Sequence, residues 1–445
     1  MYKKLVFSDC SDKYLSPRWS GELLDCSMPM VLDTYSKCSY DCTYCFSYFQ
    51  KSKRSGIVNP KYNKSRKAFK GTTVLEKAVE SFNVKRIEDI FSQKKESQFS
   101  WYIKERFPVQ WGGLSDPFDE WERRFGRTLN LLQFMKEIKY PISFSTKGVW
   151  WIDYKQYREC IKNSDFFNFK VSIISLNDLN KIERGVPSVK NRLDLIYKLK
   201  NLNVGGVTLR LRPFIIGVSD KNDNYLELIK EAYNRGITAV STEFFCLESR
   251  VEKERFESIS TSCGFDVCDF YRKNSLGTGY ERLNYGLKKP YIEKMQGLCD
   301  DLGIGFYVSD AHHKEKSCNS CCCGLPANKE GCLERNQSID FLNYFRGHFT
   351  EALLIAKEKG EVKFFDVKQF KYWKNLIWAR AEGFNTGSAL LRWKMGSFTT
   401  MYDYIKGVWN NPDSMRSPAR YFGGVLCVGG IDEERNIIYK YVGGR

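Results

Sequence analysis

Between about residues 29 and 245, short β-rich runs alternate with stretches in which apolar residues recur at three- and four-residue steps. The runs at 30–35, 109–112, 142–146, 169–174, 207–214 and 238–245 are read as strands, with a later one at 304–308. Residues 121–138, 189–202 and 225–234 carry the helical period between them. Such βα alternation predicts an α/β fold with a parallel sheet. Six units of this kind make a partial (β/α)6 barrel.

The remaining chain breaks this pattern. Residues 1–28 form an N-terminal extension, and 246–286 lack clear periodicity. The span 246–336 is read as an irregular insertion, a late strand and a cysteine-rich segment. Residues 337–412 return to the helical period with many aromatics, among them Trp373, Trp378, Trp393 and Trp409, so 337–445 is expected to be a mainly helical subdomain. Residues 52–70 are rich in Lys, Arg, Asn and Ser and read as a basic loop.

At 445 residues, with 42% hydrophobic and 28% charged positions, the chain is long enough for a large core and its composition argues against disorder over most of its length. No run of about 18 apolar residues occurs, and the N-terminal stretch has no apolar h-region, so a cytoplasmic location is expected. Sixteen cysteines in a reducing compartment point to metal or redox chemistry rather than disulfides. A formal charge of +17 would draw the protein towards a polyanion such as nucleic acid.

The cysteines Cys38, Cys42 and Cys45 form a CxxxCxxC directly after the first predicted strand. Three thiolates within eight residues can wrap one face of a cubane cluster, leaving the fourth iron free for a ligand. A tetrahedral zinc site wants four closed ligands and fits three cysteines poorly.

The motif, with the aromatic Tyr44 before its third cysteine, resembles the signature of the radical S-adenosylmethionine (SAM) superfamily. The resemblance implies a [4Fe-4S] cluster on Cys38, Cys42 and Cys45, SAM chelated to the open iron, and reductive cleavage of SAM to a 5′-deoxyadenosyl radical. It also implies that Tyr44 packs near the adenine. Four further stations are similar to the spore photoproduct lyase-like branch. The run 110–118, QWGGLSDPF, resembles the glycine-rich motif that approaches SAM's amino group, with Gly112 and Gly113, and Ser115 or Asp116 in place of the usual acidic residue. Asp116-Pro117-Phe118 followed by Glu122-Arg123 and Thr128 resembles the branch's DP(Y/F)…ER…T pattern.

The third strand ends Ser143-Phe144-Ser145-Thr146-Lys147, similar to the branch's (S/T)K strand end, which implies that Ser145 and Lys147 reach SAM's carboxylate or ribose. The run 171–188, with Ser172 and Glu183-Arg184-Gly185, resembles VSL…E(P/G)…PS, and Ser172 is implied as a ribose contact. The run 210–220 resembles R(x)(x)P(x)(x)PG(x)(x)D, with Ile216 where a second proline is usual. The resemblance implies that Arg210 meets the SAM carboxylate and that the backbone from Ile215 to Gly217 lines the adenine. These stations fall at strand carboxyl ends, where parallel αβ sheets bind ligands. The resemblance covers residues 29–245, about half the chain.

Cys318, Cys321, Cys322, Cys323 and Cys332 lie beside His312 and His313, a second candidate metal site for an auxiliary iron-sulfur cluster or zinc. Cys318, Cys321, Cys323 and Cys332 make one quartet, and Cys322 can replace either neighbour. Lys and Arg interleave with aromatics at 366–409, a pattern that either stacks bases or packs a core; His348 reads as structural.

Charge and branch resemblance together give a radical SAM enzyme that takes hydrogen from a base or sugar of a nucleic acid, for repair or modification. The alternative is a peptide or protein substrate. An electron donor such as flavodoxin or ferredoxin is implied. Photoproduct lyases return hydrogen from a cysteine, and Cys160 and Cys246 are open candidates for that role.

Overall fold

The computed structural model describes residues 7–20, 28, 30–47, 79–97, 99–104, 106–248, 253–275, 280–310, 313, 316–318, 324–325, 348–364, 401–414 and 417–443. The chain divides into two compact units. The first comprises Met1–Arg18, Met30–Ile237 and Arg250–Cys268; the second comprises Trp19–Pro29, Thr238–Ser249 and Asp269–Arg445.

In the first unit five parallel strands pair side by side in chain order. They are β1 (Met30–Leu32), β2 (Val109–Trp111), β3 (Ile142–Thr146), β4 (Phe167–Ser172) and β5 (Gly206–Phe214). Helices α1 (Glu120–Phe125) and α2 (Arg127–Glu137) separate β2 from β3, α3 (Val189–Asn201) separates β4 from β5, and α4 (Asn224–Asn234) follows β5. Strands β3 and β4 are buried along their whole length, as parallel strands covered on both sides must be.

The two faces of this sheet differ. Successive side chains alternate between faces, so Trp111, Phe144, Phe169 and Val207 fall in register on one side. Trp111 and Phe144 stack at 5.3 Å and Phe144 and Phe169 at 4.7 Å. The opposite side is polar. Gln110, Ser143 and Asn168 form one cross-strand row, Ser145, Lys170 and Thr208 a second, and Ser172 and Arg210 a third nearest the strands' carboxyl ends. Apolar packing on one face fixes the register, and a one-residue slip would turn the polar rows into the core.

The expected single helix at 121–138 is two helices, because Gly126 takes a left-handed conformation (φ 61°) and its N–H closes α1 on the Glu122 carbonyl at 2.9 Å. Strand β4 begins two residues earlier than the apolar run suggested and stops at Ser172. In the segment expected to lack periodicity, α5 (Glu257–Cys263) belongs to the first unit and follows the short 3-10 turn Lys253–Phe256.

The second unit contains the parallel pair β6 (Ala239–Phe244) and β7 (Gly305–Val308), joined in register from Ala239 opposite Gly305 to Thr242 opposite Val308. Helix α6 (Tyr285–Asp301) precedes β7. All seven strands read from the sequence are therefore present, and the α/β reading holds. Towards the C-terminus, α7 (His348–Lys359) and α8 (Met401–Trp409) accompany an antiparallel sheet of β8 (Glu361–Val362), β9 (Leu426–Ile431) and β10 (Ile437–Tyr441), in the order β8-β10-β9. The helical reading of 337–445 did not include this sheet. Its β9 strand carries Gly429 and Gly430, which weaken a strand signal in sequence.

Candidate functional site

The cysteine loop that follows β1 is clamped from two sides. On one side Ser39 donates its N–H to Asp119 at 2.8 Å, and the Tyr40 hydroxyl donates to the Phe118 carbonyl at 3.3 Å. On the other side the Gly185 N–H donates to the Tyr40 carbonyl at 3.1 Å, and the Thr43 N–H to the Ile182 carbonyl at 2.9 Å. A side chain at position 185 would meet the Ser39 carbonyl at 3.0 Å and the Tyr40 Cα at 3.2 Å, so this close approach calls for glycine.

A buried relay continues from that contact. The Tyr44 hydroxyl donates to Glu183 Oε1, Glu183 Oε2 pairs with Arg192 Nη2 at 2.9 Å, and Arg192 Nη1 donates to the Ser172 carbonyl at 2.9 Å. Both members of the ion pair are about 2% exposed, so each compensates the other's desolvation. The relay ties the aromatic of the cysteine motif to the end of β4. Arg192 sits on the buried side of α3 among Leu193, Leu195 and Ile196, a charged residue at a core position. That misfit is the signal by which the sequence could have given it away.

None of Cys38, Cys42 and Cys45 is in a disulfide. Burial pushes the Cys42 thiol up to about 12, with the Lys147 ammonium the largest opposing influence. The Cys38 thiol is pushed up by burial and then by the carboxylates of Asp119 and Asp116. Buried thiols of this kind are inert as nucleophiles, whereas a metal deprotonates a coordinating thiol outright. Among the described residues no three His, Cys, Asp or Glu side chains are arranged about a single metal ion. A cubane takes each thiolate on a different iron, and three free thiols on one doubly clamped loop suit it.

The glycine-rich run after β2 is held by the protein itself. Gly112 has φ 95°, and a side chain there would meet the Ser145 carbonyl at 2.5 Å and Pro117 at 2.8 Å. Gly113 leaves room for the Arg18 guanidinium and for Val31. Asp33, which the sequence reading passed over, accepts the N–H groups of Leu114 at 2.5 Å and Ser115 at 3.3 Å, and pairs with Arg18 at 2.6 Å. Asp116 receives Phe118 N–H at 2.9 Å, the Thr146 hydroxyl at 2.7 Å and Lys147 N–H at 2.6 Å. With three donors on it, Asp116 fixes the loop to the end of β3. The Ser115 hydroxyl is buried and receives no partner, which makes it the member of the pair suited to an incoming ligand.

Glu122 and Thr128, which carried part of the resemblance, are architectural. Glu122 accepts from the hydroxyls of Tyr35 and Tyr157, both at 2.6 Å, and from the N–H groups of Thr128 at 2.7 Å and Leu129 at 2.9 Å. It satisfies two orphan donors at the start of α2. Burial nevertheless pushes its carboxyl up to about 7. The Thr128 hydroxyl donates to the Pro117 carbonyl at 2.7 Å and lies 2.8 Å from the Thr34 hydroxyl.

The polar face of the sheet is short of partners. The hydroxyls of Ser143, Ser145 and Thr208 are buried without a hydrogen bond, which costs free energy unless a ligand or water completes them. Lys170, 4% exposed within the apolar string Phe169–Val171, stands between Ser145 and Thr208 in register and was missed by the sequence reading. Ser172 and Arg210 face each other across β4 and β5. Lys147 places its ammonium 5.5 Å from the centre of the Tyr44 ring.

After β5 the turn closes on itself. Ile215 N–H donates to the Ser219 hydroxyl at 3.0 Å, Gly217 N–H to Asp220 at 2.6 Å, and the Ile215 carbonyl accepts from Val218 and Ser219. The Ile216 N–H and the Gly217 carbonyl take part in none of these bonds.

Cys318 accepts the Phe306 N–H at 3.3 Å along β7; Cys321, Cys322, Cys323 and Cys332 lie outside the described residues, as do 48–78 and 365–400. His313 is buried and stacks on Tyr285 at 4.0 Å. Cys160 is on the helix Lys155–Ile161, and Cys246 follows the carboxyl end of β6, its thiol pushed up to about 12 by burial.

The site thus lies on an α/β fold in which parallel strands alternate with helices and a three-cysteine loop directly follows the first strand. No protein-family model and no curated protein matches this sequence. Among solved structures 12 chains match. A spore photoproduct lyase variant with dinucleoside spore photoproduct has a TM-score of 0.46 at 16% identity, over 67% of this chain and 80% of that one. Another, with bound AdoMet and dinucleoside spore photoproduct, has a TM-score of 0.43 at 16% identity, over 63% and 76%. SuiB of Streptococcus suis, bound to S-adenosylmethionine, has a TM-score of 0.38 at 14% identity, over 64% of this chain and 51% of that one. No helix among the described residues is long and apolar enough to cross a membrane.

Proposed function

We propose that this protein is a radical SAM enzyme acting on a nucleic acid. The observation that carries the reading is the clamped loop of Cys38, Cys42 and Cys45 at the end of β1, beside a sheet face whose buried hydroxyls lack partners. When bound, a [4Fe-4S] cluster and SAM supply the electron transfer and the 5′-deoxyadenosyl radical that abstracts hydrogen.

The chain's own residues bind and orient. Cys38, Cys42 and Cys45 would hold the cluster, three thiolates being the set that leaves an iron without a protein ligand. Ser115, Ser145, Lys147, Ser172 and Arg210 receive SAM's polar groups, Tyr44 and the 215–217 backbone flank its adenine, and Gly112 and Gly113 let the loop pass close to β3. Asp116 positions Lys147 by holding its N–H. Cys318 with Cys321, Cys322, Cys323 and Cys332 forms a second metal site of iron-sulfur or zinc type. An external one-electron donor such as flavodoxin or ferredoxin completes the cycle.

The formal charge of +17 and the basic run at 52–70, which leaves the cysteine motif, support a nucleic-acid substrate. Neutralising Lys51, Lys53, Arg54, Lys64, Arg66 and Lys67 is expected to weaken oligonucleotide binding alike for all sequences, with the log-log salt slope falling by about one unit per lost phosphate contact. Fluorescence anisotropy over a salt series measures this. If the parent does not bind at low salt, or the six-fold variant binds as the parent does, the peptide-substrate reading takes its place.

A further inference from the structure

Two cations stand against the Cys42 side of the cysteine loop. Lys147, just beyond β3, has its N–H fixed on Asp116 at 2.6 Å and its ammonium over the ring of Tyr44, the residue directly before Cys45. Arg255, in the turn Lys253–Phe256, lies 213 residues further along the chain and donates from Nη2 to the Cys42 carbonyl at 3.0 Å. Its placement is built in, because the adjoining α5 is itself anchored. Cys263 donates its thiol to the Ile216 carbonyl at 3.3 Å and fills the space beside Gly217.

Of the neighbouring carboxylates, Asp41 pairs with Arg184 at 3.3 Å and Glu183 with Arg192 at 2.9 Å.

We propose that Lys147 and Arg255 raise the reduction potential of the cluster held by Cys38, Cys42 and Cys45. The inference rests on the radical SAM reading above. Reduction moves one electron from an external donor to the cluster and makes no bond, so the reduced state differs by one added negative charge. A fixed cation stabilises that state more than the oxidised one, and a partly buried setting screens it less than water does. Donation to the carbonyl of a ligand residue acts in the same direction, by withdrawing electron density from the cluster's surroundings.

The test uses the full chain, reconstituted anaerobically as the parent, Lys147→Met, Arg255→Met and Lys147→Arg. Each is titrated with dithionite against mediator dyes in the absence of SAM. Electron paramagnetic resonance counts the reduced cluster, and iron content confirms loading. Each methionine variant is expected to hold about a tenfold lower ratio of reduced to oxidised cluster at a fixed applied potential, a shift of about 59 mV for a one-electron couple. Lys147→Arg, which keeps the charge, stays near the parent. Parent-like potentials in both methionine variants overturn the proposal, and a shift in Lys147→Met alone removes Arg255 from it. Lower iron content with an unmoved potential in the clusters that remain also overturns it, since a merely structural role gives that result. A parent that takes up no reducible four-iron cluster defeats the underlying reading instead.

Discussion

The Tyr44 hydroxyl donates to Glu183, and Glu183 is itself locked to Arg192 at 2.9 Å with both charges about 2% exposed. Through these two residues the cysteine loop, helix α3 and the end of β4 are one mechanical unit. Breaking a buried pair by removing one partner leaves an uncompensated charge, at a cost of about 3–5 kcal/mol. Glu183→Gln and Arg192→Met should each destabilise the protein by about that much, and the double variant by clearly less than the sum. Chemical denaturation of the three variants completes the cycle; additive losses would show that the two side chains do not depend on each other.

Replacing Cys38, Cys42 and Cys45 together by Ala should remove about four irons per chain and all 5′-deoxyadenosine formation with dithionite. The apolar side of the sheet is untouched by these substitutions, so the fold should remain. Mass spectrometry of the reaction products decides, and 5′-deoxyadenosine from the triple variant would sink the assignment.

His313 gives a pH signature. Its folded pKa is pushed down to about 4, from an ordinary value of 6.5, chiefly by burial. The folded state therefore binds fewer protons than the unfolded state between these limits, so stability rises with pH across that window. It is lost as pH falls from about 6.5 to 4, by about 3 kcal/mol once the ring is fully protonated. His313→Phe keeps an aromatic against Tyr285 and should flatten this part of the profile. Urea unfolding of both proteins from pH 4 to 7 measures the difference, and equal slopes would count against a buried neutral imidazole.

Replacing Cys318, Cys321, Cys323 and Cys332 together should lower metal content without stopping SAM cleavage. Loss of about four irons identifies an auxiliary [4Fe-4S] cluster, and loss of one zinc a tetrahedral clip. Metal analysis of parent and variant reads the outcome, and equal metal content would reduce the segment to ordinary thiols.

The parallel βα series, the cysteine loop after its first strand, and the polar strand ends at Ser145, Lys147 and Ser172 can be read along the chain. These are legible because periodicity and spacing are local, and because a strand's alternation assigns its faces without reference to its neighbours. The sequence also marked Glu183 and Gly185 as part of a motif, without saying what they touch. Which charges meet is settled by folding. Asp33 holds the loop that follows β2, Asp116 is committed to Lys147 and Thr146, and Arg255 reaches Cys42 across 213 residues. Lys170 and Arg192 look like misfits in apolar strings until the register and the packing of α3 give them their places. Partners so far apart leave no period in the chain. They are selected by the cost of burying a polar group alone, and that cost exists only once the chain has folded.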